Sequence, residues 1–320
     1  MAEALFQHHR AHDGPDAQIE GGASRRSFLR ATAALAGGFA ALAALSPLRE
    51  LEKFSSLEEF LQKHYHELTP EELARVLARI EREVQQEYGL RPHVRDFKPL
   101  DGVEFAYALN LTRCIGCRKC VHACVAENNQ SRSPEIQYIR VIKMPNGTFD
   151  VEQGDHHYAP KAVPEEGFYY MPVQCHQCKN PPCVKVCPVK ATWQEPDGIT
   201  VIDYDWCIGC RYCQAACPYW ARRFNFAKPS IPKEQLNPNM SYLGNRPRRL
   251  GVTEKCHFCL QRTRVGRYPA CLEVCPTGAR KFGNVLDPES EIAYILRHKR
   301  VFVLKEEVGT LPRFFYYFDV

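Results

Sequence analysis

Sixteen cysteines in four similar runs constrain the fold of this chain more than any other feature. Each run has the form CxxC, a spacer and then CxxxC, and the spacers hold two, four, two and eleven residues. A fold for this chain must therefore be built around sulfur atoms. The runs, which include every cysteine, are CIGCRKCVHAC (114–124), CHQCKNPPCVKVCP (175–188), CIGCRYCQAACP (207–218) and CHFCLQRTRVGRYPACLEVCP (256–276).

This spacing is typical of iron–sulfur proteins. In a CxxCxxC loop, three sulfurs reach one cluster, and the fourth cysteine lies one helical turn further on and ligates a neighbouring cluster. Two runs together therefore build two clusters, each with three ligands from one run and one from the other. Because none of the sixteen cysteines is replaced, we expect four [4Fe-4S] clusters.

Distance along the chain predicts which runs pair. Runs two and three are joined by a short segment in which Asp197-Gly198 predicts a hairpin turn, so we expect them to form a compact ferredoxin module. By elimination, the first and last runs form a second module that encloses it. Run one is followed by Val125 rather than proline, which leaves its exit geometry open. The predicted ligand sets are Cys114, Cys117, Cys120 and Cys275 (set 1); Cys256, Cys259, Cys271 and Cys124 (set 2); Cys175, Cys178, Cys183 and Cys217 (set 3); and Cys207, Cys210, Cys213 and Cys187 (set 4).

Other uses of the cysteines fit the pattern less well. Structural zinc would leave the third cysteine of each run unexplained, and repeated CxxC pairs are a poor disulfide framework for a chain of 320 residues. No CxxC is followed by histidine, which excludes c-type haem attachment. We find no GxGxxG motif and no phosphate loop, so no nucleotide is expected.

The charge of the chain does not indicate a nucleic-acid partner. The formal net charge is +5, and the basic residues are dispersed rather than gathered in a run. Four clusters on cysteine thiolates would each add roughly −2, which reverses the sign of the total.

The first 45 residues resemble a twin-arginine export signal. SRRSFLR (24–30) precedes the short, alanine-rich segment ATAALAGGFAALAAL (31–45), whereas a membrane anchor would need about 20 strongly apolar residues. We therefore expect a periplasmic protein. Because the twin-arginine route carries folded cargo, the clusters can be assembled in the reducing cytoplasm before the thiols meet an oxidising compartment.

Several segments outside the runs also carry structural signals. Thr69-Pro70-Glu71-Glu72 predicts a helix start, and a helix is also expected over 56–68; this extension either folds on its own core or docks a partner. EIQYIRVIKM and PNGTFDV predict a hairpin turning at Asn146-Gly147. RVFVLKEE (300–307) alternates like a strand, and the aromatic residues 314–318 belong to either an interface or the core. The apolar face of the Thr69-capped helix consists of Leu73, Val76, Leu77, Ile80 and Val84.

Three segments together resemble a known family. They are YYMPVQCHQCKNPPCVKVCPVKAT (169–192), DYDWCIGCRYCQAACPYWARRFNF (203–226) and EKCHFCLQRTRVGRYPACLEVCPTGARKFGN (254–284). They resemble the four-cluster electron-transfer subunit of the complex iron–sulfur molybdoenzymes. That subunit occurs in dimethyl sulfoxide, polysulfide and tetrathionate reductases, formate dehydrogenase and the exported hydrogenase-2 complex. The similarity runs from about Phe105 to Gly283.

The resemblance implies a relay that carries no substrate chemistry and no catalytic residue. It would pass single electrons between a catalytic subunit (a molybdopterin, hydrogenase or multihaem cytochrome chain) and a quinone-reactive membrane subunit. Because the C-terminal RFFYYFDV predicts no membrane helix, attachment is expected through a polytopic partner of the polysulfide-reductase membrane-subunit type. The alternatives are a free periplasmic polyferredoxin and a zinc-stabilised interaction protein.

The expected fold is α+β: two interleaved bacterial-type 2[4Fe-4S] ferredoxin modules with β-hairpin insertions and an N-terminal helical extension. The predicted segments are the export signal (1–45), the helical extension (46–100), the first run with a β insertion (101–174), the central ferredoxin module (175–227), an insertion with the fourth run (228–283), which pairs with 101–125, and a C-terminal strand with an aromatic tail (284–320).

Overall fold

The computed structural model describes residues 68–319. The predicted export signal and the helix expected before Thr69 lie outside the described residues. No helix of the described part is long and apolar enough to cross a bilayer. The helices are Pro70–Tyr88 (α1), Lys119–Glu127 (α2), Pro182–Lys185 (α3), Tyr212–Ala215 (α4), Leu260–Thr263 (α5), Ala270–Glu273 (α6) and Glu291–His298 (α7). The strands are His93–Arg95 (β1), Phe105–Asn110 (β2), Arg140–Pro145 (β3), Phe168–Val173 (β4), Thr192–Gln194 (β5), Thr200–Ile202 (β6), Arg223–Phe224 (β7), Asn239–Ser241 (β8), Thr253–Glu254 (β9), Arg280–Asn284 (β10), Val301–Phe302 (β11) and Phe314–Tyr317 (β12).

A four-stranded sheet in the order β10-β2-β12-β11 lies at the centre. Every residue of β2 is buried, so its sequence does not alternate between apolar and polar residues as that of a half-exposed strand would. It pairs antiparallel with β10, with Leu109 opposite Arg280, and parallel with β12. Because β2 precedes the first cysteine run and β10 follows the fourth, their pairing brings together two runs that are distant in sequence.

Short helices complete the pairing of the runs. Helix α2, from run one, packs against α6, from run four, while α3 and α4 pack together from runs two and three. Each of these helices carries or adjoins the third and fourth cysteines of its run. The outer pair of runs therefore encloses the inner pair in sequence, as the α+β expectation of interleaved units requires.

One predicted hairpin forms and the other does not. Strands β5 and β6 pair antiparallel around Asp197-Gly198, where Gly198 has a φ of +84°. A turn also forms at Asn146-Gly147, but the chain does not return along PNGTFDV; β3 pairs instead with β4. The reason is burial: Ile142 lies opposite Met171, and both are fully buried, whereas residues 148–150 are polar or exposed.

The helical extension folds onto the core of this chain. Thr69 and Glu72 form a capping box at the start of α1, and Ile80 and Val84 are buried in the main hydrophobic cluster. This packing agrees with the self-folded alternative rather than with a free docking arm. The extension is not wholly helical, because β1 pairs in parallel with β8.

The C-terminal segment belongs to the core and contains an element that we did not expect. Phe314 and Tyr316 are fully buried in β12, so the aromatic tail is core rather than an exposed anchor. The strand expected over RVFVLKEE is limited to Val301–Phe302. Helix α7 was missed; its signal is Ser290, which caps the amide of Ala293, followed by an apolar pattern that buries one face.

Candidate metal centres

All four CxxC motifs share one backbone feature. The residue before the second cysteine is left-handed in each, with φ values of +71° at Gly116, +44° at Gln177, +71° at Gly209 and +52° at Phe258. Glycine adopts this conformation without cost, and the other two residues are held in it by the surrounding structure. The backbone therefore turns at the same point of each CxxC motif, immediately before the second cysteine.

The ends of the runs explain the exit geometry that the sequence left open. After the Cys-Pro of runs two, three and four, the chain turns through a left-handed residue at Lys190, Trp220 and Gly278. Proline cannot continue a helix, so the short helix stops there. Run one has Val125 instead, and its helix continues past Cys124 to Glu127.

The structure gathers the thiols into four groups, and all sixteen are free. In three of the groups, the four cysteines line one cavity, and these groups have the membership predicted for sets 1, 3 and 4. They are Cys114, Cys117, Cys120 and Cys275; Cys175, Cys178, Cys183 and Cys217; and Cys187, Cys207, Cys210 and Cys213.

The fourth group is the most deeply buried and corresponds to set 2. Burial, followed by the charges of Cys256, Cys259 and Cys271, raises the pKa of Cys124 well above its usual range. The Asn128 Nδ2 atom lies 3.5 Å from Cys124 Sγ and 3.7 Å from Cys259 Sγ. Thiols from two distant runs therefore meet at this site.

Polar side chains surround the sulfurs of set 2. Gln130 Nε2 donates to Cys124 Sγ at 3.2 Å, and the Tyr107 hydroxyl lies 3.4 Å from Cys271 Sγ. Hydrogen bonds to ligand sulfur are one of the ways in which a protein tunes an iron–sulfur centre.

Neighbouring sets lie close enough to interact electrostatically. Burial and the thiol of Cys271 raise the pKa of Cys120. Because Cys120 belongs to set 1 and Cys271 to set 2, these two sets are neighbours. Burial and the thiol of Cys175 raise the pKa of Cys256. Because Cys256 belongs to set 2 and Cys175 to set 3, these two sets are also neighbours.

A third contact completes the series. Burial and, to a smaller extent, the thiol of Cys183 raise the pKa of Cys213. Because Cys183 belongs to set 3 and Cys213 to set 4, these two sets are neighbours as well. The four sets therefore follow one another in the order 1, 2, 3, 4.

The arrangement fits a cluster better than a single metal ion. Within residues 68–319, no three Cys, His, Asp or Glu side chains converge closely enough to hold one metal ion. Structural zinc requires four ligand atoms at about 2.3 Å from one point. Four thiols around one cavity that do not meet such a point leave room for a larger inorganic group.

The buried basic residues near the sulfurs are only partly those that adjoin the cysteines in sequence. Lys255 lies beside a ligand and is buried, whereas four other basic residues close to ligands in sequence are exposed. Sequence reasoning missed Arg222 and Arg280, which are both buried. A signal for them exists, because each is the fifth residue after the last cysteine of its run, in CPYWAR and CPTGAR. The exposed neighbours are Lys119, Lys179, Lys185 and Arg211.

Comparisons with known proteins agree with this geometry. Two family models, each of a 4Fe-4S dicluster domain, match residues 167–248 and 243–285 and residues 113–191. The B subunit of the selenate reductase of Mesobacillus selenatarsenatis is 36% identical over 92% of this chain and 96% of its own length. A menaquinone reductase iron–sulfur cluster-binding subunit from Nitratidesulfovibrio vulgaris is 37% identical over 67% of this chain and 88% of its own.

A third relative comes from the polysulfide reductase of Wolinella succinogenes, whose B chain is 36% identical over 63% of this chain and 87% of its own length. The match to the selenate reductase subunit extends well beyond the Phe105–Gly283 region in which the sequence resemblance was found. The similarity therefore includes segments outside the cysteine runs.

The left-handed turn at Gly209 provides a test of the site. A Cβ atom there would lie 2.1 Å from the carbonyl oxygen of Gly251, so we expect Gly209→Ala to open the set 4 loop. If each set holds one [4Fe-4S] cluster, the iron content should fall by about a quarter. Iron and acid-labile sulfide would be measured on protein purified without oxygen.

Gly102→Ala is the matched control. Gly102 has a φ of +69°, but a Cβ atom there would meet nothing within 4 Å, so the backbone cost is similar and the clash is absent. Iron should be retained in this variant. Equal iron contents in the two variants would show that the close approach to Gly251 does not matter.

Proposed function

Since the protein belongs to the family of iron–sulfur B subunits of respiratory molybdoenzyme reductases, and is thus an electron-transfer subunit, we propose that it holds four [4Fe-4S] clusters. The ligands would be sets 1 to 4. The observation that carries this proposal is the series of four cysteine groups, in which each group is next to the following one. Such a series suits a relay that spans the subunit.

The residues of the chain fit clusters chemically. When bound, a [4Fe-4S] cluster accepts and releases one electron at a time. The buried thiols of sets 1 to 3 have raised pKa values because burial disfavours the thiolate, and a bound metal centre would remove this cost by fixing the deprotonated form. Arg222 Nε and Nη1 and Arg280 Nη2 are buried without hydrogen-bond partners, and they offer positive charge to such a group.

The set 4 end of the series carries exposed apolar side chains. Beside set 4, Ile208 and Tyr212 are 60% and 62% exposed, and Phe226 is also exposed. Exposed apolar side chains gathered at one place mark an interaction surface. We assign this surface to a quinone-reactive membrane partner, and the set 1 end to a catalytic partner.

This assignment defines the proposed complex. Electrons would move between the catalytic subunit and the membrane subunit through sets 1, 2, 3 and 4, and this chain would exclude water from the path. The relatives named for polysulfide reductase and menaquinone reductase support a role of this kind. The free polyferredoxin alternative lacks a use for an exposed apolar end.

We further propose that the protein acts in the periplasm. The support is the twin-arginine pattern at Arg25 and Arg26, together with the requirement that sixteen thiols be capped before they meet an oxidising compartment. Metal binding contributes to the folding free energy of such loops, so a chain folded around its clusters is suitable cargo for this route.

The ligand sets can be tested by removing Cys124. Wild-type protein purified without oxygen should be brown and contain about 16 iron atoms, and Cys124→Ser should contain about 12. The lost paramagnetic signal should belong to the cluster held with Cys256, Cys259 and Cys271, and not to the cluster of its own loop.

Cys275→Ser is the reciprocal variant, because it should remove the cluster of Cys114, Cys117 and Cys120. If each variant lost the signal of its own run instead, the proposed pairing would be wrong. Colourless wild-type protein with stoichiometric zinc would overturn the proposal of four clusters as a whole.

The docking assignment can be tested by charge insertion. Ile208→Glu and Tyr212→Glu should reduce co-purification of a polytopic subunit from detergent-solubilised membranes, since a buried charge at an interface is costly. Tyr294→Glu is the matched control, because Tyr294 is also exposed but lies on α7. Selective loss of the catalytic chain in the Ile208 and Tyr212 variants would reverse the assignment of the two ends.

Export can be tested by conservative replacement of the arginine pair. The double variant Arg25→Lys, Arg26→Lys should remain in the cytoplasm with its iron content unchanged, because only the signal is altered. Fractionation followed by immunoblotting measures this, and Arg30→Lys is the control. Equal amounts of the double variant and wild type in the periplasm would contradict the twin-arginine assignment.

A further inference from the structure

Among residues 68–319, three cations are fully buried without a carboxylate partner. Arg222, Lys255 and Arg280 are 2%, 0% and 3% exposed. In the described part of the chain, the groups near them that can become anionic are cysteine thiols and the Tyr107 hydroxyl, which are neutral until they lose a proton. Other buried arginines are neutralised: Arg248 lies 3.5 Å from Glu254, and Arg264 lies 2.7 Å from Asp197. Unpaired buried charge costs several kcal/mol, so the three cations require an explanation.

Arg222 lies between sets 3 and 4. It lines the cavities of both sets, and its Nη2 atom donates to Cys183 Sγ at 2.9 Å. Cys183 belongs to set 3, and the adjacent thiol of Cys213 belongs to set 4. One guanidinium group therefore faces two neighbouring cysteine sets.

Arg280 occupies the corresponding place between sets 1 and 2. It lines the cavity of set 1 and interacts with Cys120. Its Nη1 atom donates to the Tyr107 hydroxyl at 3.3 Å, and that hydroxyl lies 3.4 Å from Cys271 Sγ of set 2. Arg280 and Arg222 are each five residues after the last cysteine of a run, and in each case the residue two before the arginine, Gly278 or Trp220, is left-handed.

Lys255 lies in the remaining gap. Its Nζ atom donates to the carbonyl oxygen of Cys256 of set 2 at 2.7 Å and to Gln177 Oε1, in the CxxC loop of set 3, at 3.4 Å. The thiols of Cys175 of set 3 and Cys256 of set 2 also interact with it electrostatically. Each of the three gaps in the series therefore contains one buried cation. We call Arg280, Lys255 and Arg222 the gap cations.

We propose that the gap cations are the counter-charges of the relay, and that each one raises the reduction potentials of the two clusters that flank it. This inference rests on the four clusters of the proposed function. The physical reason is that reduction adds a negative charge to a cluster, and a nearby cation in a dry interior stabilises that charge. A cation shared by two clusters also offsets the repulsion between an electron on one and the charge of the next.

The test is a redox titration of each cluster, followed by paramagnetic resonance. Arg222→Gln should lower the midpoint potentials of the clusters of sets 3 and 4 and leave those of sets 1 and 2 unchanged. Arg280→Gln should do the reverse, and Lys255→Gln should act on sets 2 and 3. We expect at least a tenfold fall in the equilibrium constant for reduction, which is about 59 mV for a one-electron couple.

Lys185→Gln is the matched control for charge. Lys185 lies between Cys183 and Cys187 in sequence but is exposed, so removal of its charge should leave all four potentials unchanged. Equal shifts of all four clusters in Arg222→Gln, or equal shifts in Lys185→Gln and Arg222→Gln, would overturn the proposal.

Arg222→Lys separates charge from packing, because it keeps the charge and changes the shape. It should retain potentials close to those of wild type; a fall as large as that of Arg222→Gln would overturn the proposal. If Arg222→Gln fails to load the flanking clusters, Arg222→Lys decides: loading with near-wild-type potentials supports a charge role, and failure to load contradicts it.

Iron and sulfide contents of the same samples distinguish a failure of the proposed clusters from a failure of the role proposed for the gap cations. Wild-type protein without iron would refute the proposed function. A full iron content in Arg222→Gln and Arg280→Gln, with potentials equal to those of wild type, would overturn the role of the gap cations and leave the proposed function intact.

Discussion

The gathering of sixteen cysteine sulfurs into four groups, with seven of the cysteines buried and nine partly buried, is the constraint on which the rest of this structure depends. Buried thiols resist ionisation, and sets 1 to 3 contain thiols whose pKa values burial raises. The chain must hold these groups around four centres while it keeps water away from them. The recurring left-handed residue in each CxxC motif and the proline stop after three of the runs are the local means by which it does so.

The interleaving of the runs follows from the same constraint. Runs one and four meet only because β2 pairs with β10 and α2 packs on α6, and both contacts close long loops. Loop closure costs entropy, which metal binding at the completed sites would offset as folding free energy. Bound clusters would therefore add to the stability of the folded chain, which suits the export of a folded chain that we propose.

The buried charges of the molecule fall into two classes that reflect two roles. Arg248 and Arg264 are paired with carboxylates and hold the scaffold together. Arg280, Lys255 and Arg222 face thiols from adjacent sets instead, and their charge makes physical sense only against an anionic centre. The second class links the packing of the core to the electronic properties that we propose for the relay.

The sequence by itself determined the chemistry of the chain. Cysteine spacing is local, and a loop of fixed length can reach a centre in few ways, so the three cysteines that each run contributes to one group, the turn at Asp197-Gly198 and the cap of α1 followed from short segments. Only the tertiary structure decided the features that depend on distant partners: β4 rather than 148–151 as the partner of β3, the burial of β12, and the order of the sets. Arg222 and Arg280 belong to this second class, because a guanidinium on a long side chain can point to water or to sulfur, and the choice depends on packing that the local sequence does not contain.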